Sequence, residues 1–281
     1  MAETLFKTEF GRLSDKDFRR LSAFIYETFG IFLPEKKHYL LQNRLIPRLR
    51  ELGFHSYAQY VDYVLKQGKY GDEVFEMMNV VSTNKTEFFR EKAHFDILRK
   101  ELLPDFYGQS IVIWSAGCSS GEEVYTLAMI MAEEKAAGHI SDFFLYGNDI
   151  SKRILAKAVK AVYPLHEAAA IPPEYRKKYL LRSKDKTNPT IRIVPELRAR
   201  TKFLWENLVS EKDTLPHNFQ FVFCRNTLIY FDRKTQAKVV SRLIRHLIPG
   251  GYLIVGHSES LLYQLPPNVK AVKPTIYQKI K

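Results

Sequence analysis

The segment Gly117-Cys118-Ser119-Ser120-Gly121-Glu122-Glu123 joins an apolar run, IVIWSA at 111–116, to a stretch with helical periodicity. Its glycines allow close backbone approach to a ligand, as in the strand-to-helix turns that cradle dinucleotides. Glu122 and Glu123 stand in the first turn of that helix, where they suit the positive end of the helix dipole but repel a pyrophosphate. A cationic ligand is favoured instead. S-adenosylmethionine, with a sulfonium, an ammonium and no phosphate, suits the loop better than NAD or ATP does. Asp149 ends the next apolar run, where the two oxygens of a carboxylate can accept both hydroxyls of an adenosine ribose. A further polar segment, Ser82-Thr83-Asn84-Lys85-Thr86-Glu87-Phe88-Phe89-Arg90-Glu91, surrounds a Phe pair. It reads as a linker anchored in a core, or as a strip presenting Asn84, Thr86 and Arg90 to a cleft; composition alone favours the linker.

These residues need elements that bring them together. The runs 111–116, 143–149, 219–226 and 252–258 are typical of buried parallel strands, and amphipathic helices separate them. Strand and helix in alternation predict a doubly wound α/β sheet, whose ligands bind beyond the carboxyl ends of the strands. The polar signals fall there: the glycine loop, Asp149, Arg225-Asn226 with Tyr230, and His257-Ser258-Glu259. Up to about Ser82 the chain reads as helices instead: Ser14 caps one through Phe29, Glu35 opens another to Leu52, Ser56 caps a third and Asp72 begins a fourth. A helix is expected from about Phe95 to Leu103, and a hairpin at the C-terminal edge of the sheet.

The 281 residues carry 43 Lys plus Arg against 31 Asp plus Glu, for a net charge of +12. Within 151–202 there are 14 Lys plus Arg and 4 Asp plus Glu, in a stretch that interrupts the α/β rhythm. It reads as an inserted antiparallel subdomain that binds an acidic partner, or as a solvated basic surface. The N-terminal residues lack a signal peptide's apolar core and no apolar run spans a bilayer, so a cytoplasmic protein without membrane insertion is expected. Cys118 and Cys224 are the only cysteines, and neither sits in a metal-ligand spacing, so no metal is expected.

In order and spacing, STNKTEFFRE, WSAGCSSGEEVYTLAM, YGNDIS, WENL, FCRNTLIYFD and GGYLIVGHSES resemble the chemotaxis receptor glutamate methyltransferases, the CheR family. The likeness covers nearly the whole chain. It implies a helical N-terminal domain at 1–82, an interdomain segment at 83–94 that contributes to the cofactor site, and a class I methyltransferase domain at 95–281 with a small β-subdomain inserted at 163–200. It also implies transfer of methyl from S-adenosylmethionine to glutamate side chains of chemoreceptor cytoplasmic helices, with S-adenosylhomocysteine as product. By matching motif positions the cofactor site uses Asn84, Thr86, Arg90, Gly117, Glu122 or Glu123, Asp149, Asn207, Leu208, Arg225 and Asn226. Arg90 and Tyr230 flank the methyl-transfer position.

A helical substrate needs a reader. At 100° per residue along 35–52, Lys37, Arg44 and Arg48 fall within about 40° of one another beside Leu41, Leu45 and Leu49. That basic stripe suits an acidic helix, or equally marks bases snorkelling around a core edge. The insertion is a candidate grip for a receptor's tail. Three rival readings compete with it. Gly117 to Gly121 fits the G-x-S-x-G of a serine hydrolase, with Asp149 and His257 following in order. A nucleic-acid methyltransferase would explain the basic charge, but its polar-Pro-Pro-aromatic turn is absent after the fourth strand, where CRNTLIYF stands, so no nucleic-acid partner is expected. A cofactor-binding module without catalysis is the third.

Overall fold

The computed structural model describes residues 9–212, 214–262 and 265–280; the first eight residues, part of the stretch read above as lacking a leader, lie outside these. The chain divides into two compact units, one running through Thr83 with Tyr230–Thr235, the other comprising Asn84–Ile229 and the residues from Gln236 onward. Among the described residues, no helix is long and apolar enough to cross a membrane.

The first unit holds α1 (Asp15–Phe29), α2 (His38–Leu52), α3 (Tyr57–Lys66) and α4 (Asp72–Val81). Ser14 Oγ caps α1 by accepting from the Asp17 amide at 3.0 Å, and Gly30 closes it at φ 72°. Leu21, Ile25, Leu41, Leu45, Leu49, Val61, Val64, Met77 and Met78 form its core, all fully or almost fully buried. The expected helix from Glu35 is broken: Glu35–Lys37 forms a 3₁₀ turn after Pro34, and α2 begins only at His38. A 3₁₀ turn advances about 120° per residue, so Lys37 leaves the register that would align it with Arg44 and Arg48. The Phe231 backbone forms an isolated antiparallel bridge with Ile31, which accounts for the return of 230–235 to this unit.

The second unit begins with α5 (Ala93–Ile97), which continues as a π turn through Leu102, then β1 (Ser110–Ala116), α6 (Glu122–Ala136), β2 (Asp142–Asp149) and α7 (Lys152–Lys160). The insertion follows as β3 (Val162–Pro164), α8 (Pro173–Tyr179), β4 (Leu180–Arg182), β5 (Thr190–Ile193) and α9 (Pro195–Arg198). Then come β6 (Thr201–Trp205), β7 (Phe219–Cys224), α10 (Arg233–His246), β8 (Leu247–Val255), β9 (Val269–Lys273) and β10 (Ile276–Lys279). The main sheet has the order β6-β2-β1-β7-β8-β10-β9, and the small sheet the order β3-β5-β4. The first five strands of the main sheet run parallel, and β10 is antiparallel to both its neighbours. β7 is buried at every residue and α6 on nearly every face, as expected when helices cover a parallel sheet. The chain winds outward from β1 to β2 and β6, then returns to β7 beside β1. That reversal opens a crevice at the carboxyl ends of β1 and β7, the place where doubly wound sheets bind ligands.

Candidate active site

The glycine loop is built for close approach. Gly117 has φ 78°, and a Cβ there would lie 2.4 Å from Thr227 Oγ1; Gly121 has φ 93°, and a Cβ would lie 2.9 Å from Ala158 Cβ. The amides of Gly117 and Cys118 both donate to Asn148 O, at 3.0 and 2.8 Å, which ties the loop to the end of β2. Ser119, at φ 51°, gives its amide to Asp149 Oδ2 at 3.0 Å and its hydroxyl to Asn84 O at 3.0 Å. Asp149 Oδ1 accepts from the Ser151 amide at 2.9 Å. The amides of Ser119, Ser151 and Ile150 hold the two oxygens of this buried carboxylate, which keeps lone-pair capacity. Burial raises its pKa against those stabilising amides.

The two adjacent glutamates face different surroundings. Glu122 is 3% exposed, and Ser120 Oγ lies 2.8 and 2.9 Å from its two oxygens. Burial pushes its carboxyl up to about 7. Glu123 accepts from Ser115 Oγ at 2.7 Å and from Arg225 at 2.9 Å, which sets it between the ends of β1 and β7. Arg225 is almost wholly buried; it also pairs with Glu91 at 3.1 Å and donates to the Arg90 carbonyl. Its two Nη groups thus brace Glu123, the Glu91 carboxylate and the Arg90 carbonyl. Asn226, at φ 57°, gives its amide to Glu259 Oε2 at 2.7 Å and its side-chain N–H to Glu91 Oε1 at 3.2 Å.

The 84–91 strip packs on this unit. Phe88 is buried edge-on to Tyr163, and the Phe89 amide donates to Thr126 Oγ1 at 3.1 Å. Asn84, Thr86 and Arg90 are half-buried, and Arg90 donates to the Lys85 carbonyl at 3.0 Å. Phe89, Glu91, Ser119 and Asn226 are four of the six non-glycine residues with left-handed φ among those described, so this rim carries most of the fold's backbone strain.

Two parts of the arrangement were not legible beforehand. β6 was missed because TKFLW is short and only partly buried, yet it delivers Asn207 and Leu208 beside β2. Behind it, Trp114 Nε1 donates to Asn148 Oδ1 at 2.8 Å and Asn148 Nδ2 to Glu206 O at 2.9 Å, while Arg242 pairs with Glu206 and donates to Asn207 O at 2.9 Å. Glu259 also lacked an assigned role. Its carboxylate gathers the amides of Asn226, Gly256 and Ile229.

Other expected residues lie in the first unit. Tyr230 is half-buried, with Lys37 Nζ 5.8 Å from its ring centroid. Arg44 donates to the Val81 carbonyl and to Thr83 Oγ1. Arg48 is 7% exposed and paired with Glu73, which also accepts from Tyr60 at 2.7 Å, so Arg48 is a buried structural cation and leaves the proposed basic stripe. The serine hydrolase triad is not assembled either: the Ser119 hydroxyl goes to Asn84 O, and His257 lies against His94.

Residues 84–277 match the family described as CheR methyltransferase, SAM binding domain, and residues 16–82 match CheR methyltransferase, all-alpha domain. A chemotaxis protein methyltransferase of Borreliella burgdorferi is 33% identical over 95% of this chain and 95% of its own length. One from Klebsiella aerogenes is 36% identical over 88% and 84%, and one from Escherichia coli 34% over 90% and 87%. A glycine-turned, acid-lined crevice at β1 and β7, a helical unit ahead of it and these matches across both lead to one conclusion: the chain belongs to the CheR methyltransferase family.

Proposed function

We propose that this protein transfers the methyl group of S-adenosylmethionine to glutamate side chains on chemoreceptor cytoplasmic helices, leaving methyl esters and S-adenosylhomocysteine. The observation that carries this reading is the pair of carboxylates at the crevice, Glu123 and Asp149, beside a loop that excludes any Cβ at Gly117. The cofactor supplies an electrophilic methyl carbon on a sulfonium. Glu123 serves its ammonium group, because Glu122 is closed off by Ser120, and Asp149 serves the ribose hydroxyls with its remaining lone pairs. Asn84, Thr86, Asn207, Leu208 and Asn226 complete the surround, and Arg225 positions Glu123.

A substrate glutamate has an ordinary pKa of about 4.3 and is already ionised at neutral pH, so no general base is needed. What the chain must supply is alignment, worth roughly 7–11 kcal/mol in the best intramolecular cases. Arg90 orients the incoming carboxylate, and Tyr230 shapes its approach. Arg90→Ala is expected to lower turnover by about ten- to a hundredfold, the cost of one charge-assisted contact; a wild-type rate rules out the role. Lys37, with Arg44 in part, reads the substrate helix, and the basic β3-β5-β4 sheet holds a receptor tail. The deciding experiment incubates the protein with labelled S-adenosylmethionine and receptor cytoplasmic fragments. Base-labile methyl label on glutamate is expected, and label stable to alkali, or none, overturns the proposal.

A further inference from the structure

Glu91, His94 and His257 each place one ligand-capable atom so that the three lie within 4.8 Å of one another. His94 is 2% exposed, and its ring orientation is fixed by its neighbours. Its Nε2 is 2.9 Å from Thr275 Oγ1, and that hydroxyl gives its own hydrogen to the Pro274 carbonyl at 2.6 Å. With the hydroxyl turned to that carbonyl, Thr275 Oγ1 accepts from His94 and the imidazole proton sits on Nε2. His94 Nδ1 is then a bare lone pair, buried without a hydrogen-bond partner, and it faces Glu91 Oε2 at 3.4 Å. His257 Nε2 stands 3.9 Å from the same oxygen. Glu91 Oε2 also accepts from Arg225 Nη2 at 3.1 Å and from the His257 amide at 3.3 Å, so the unpartnered lone pair of the cluster is that of His94 Nδ1, aimed at a carboxylate oxygen with lone-pair capacity to spare.

We propose that Glu91, His94 and His257 form a binding site for a divalent transition metal of the zinc class. Two ligand bonds of about 2.0–2.1 Å meeting at a tetrahedral angle span roughly 3.3–3.4 Å, which is the separation of His94 Nδ1 and Glu91 Oε2. Thr275 on the far nitrogen of His94 is the outer partner that metal-bound imidazoles use to fix their tautomer, and Asn226 and Arg225 hold the carboxylate. Two imidazole nitrogens and one oxygen select Zn²⁺ over Mg²⁺ or Ca²⁺, and three protein ligands leave a fourth position for water. The Arg225 guanidinium weakens the site without abolishing it, since Glu123 offsets that charge at 2.9 Å. Micromolar affinity is expected.

The test is calorimetric titration of the metal-stripped full chain with Zn²⁺, and of Co²⁺ by its visible spectrum. One saturable equivalent of Zn²⁺, an intense tetrahedral Co²⁺ band and no heat with Mg²⁺ are expected. His257, whose side chain is 56% exposed, carries the decisive variant because its removal leaves the core intact. His257→Ala is expected to weaken Zn²⁺ by roughly tenfold or more and to lose the Co²⁺ band. Equal titration of the wild type and His257→Ala, no saturable Zn²⁺ uptake, or tighter Mg²⁺ binding would each overturn the site. Because no cofactor or receptor enters the assay, its failure leaves the methyl-transfer reading standing.

Discussion

Glu122 and Glu123 show how far two like residues diverge once packing assigns them neighbours. Glu123 is ion-paired with Arg225, while Glu122 is sealed under Ser120 and raised from an ordinary 4.5 to about 7. Between those values the folded chain holds a proton that the unfolded chain has released. Stability drawn from Glu122 is therefore full below 4.5, falls as pH rises through 7, and is flat above. Glu122→Gln stays neutral and should gain on the wild type across that window, reaching about 1–3 kcal/mol at its top. Urea midpoints of the two proteins measured across the window check this, and a constant difference refutes it. The sequence placed both acids at the helix start but left open which serves a ligand, because that choice depends on Ser120 and Arg225, the second of which is a hundred residues away in the chain.

At the scale of elements, the β1–α6 turn and α2 are the places where single changes report most. Gly117→Ala would force a left-handed alanine against Thr227, at a cost of about 1–2 kcal/mol for the backbone alone. Adding Thr227→Ala should recover only the steric part; full recovery in the double variant would show that φ 78° is not a constraint. In α2, Arg48→Met strands the buried Glu73 carboxylate and should cost about 3–5 kcal/mol, with much of it returned by Arg48→Met/Glu73→Gln. Thermal melts of the three proteins decide, and a surface-like loss below about 1 kcal/mol would return Arg48 to the solvent face. Ser14 and Ser56 marked two helix starts because capping is local chemistry. The 3₁₀ turn at Glu35–Lys37 was hidden, since its three residues match a helical period as well as a 3₁₀ one.

For the whole molecule, both tryptophans, Trp114 and Trp205, belong to the α/β unit, so their fluorescence follows that unit's unfolding. S-adenosylhomocysteine at about a hundred times its Kd should stabilise the fluorescence-detected transition by about 2.7 kcal/mol. An unmoved midpoint would remove the cofactor site from this unit. The sequence by itself determined the class of the fold, the glycine loop, the place of Asp149 at a strand end and the family, because strand runs, turn residues and short motifs are written in contiguous residues. Only the tertiary structure decided that Arg48 is internal, that Arg225 is a brace, that β6 carries Asn207, and that Glu91, His94 and His257 converge. Burial and long-range pairing set those outcomes, and both depend on which distant segments meet.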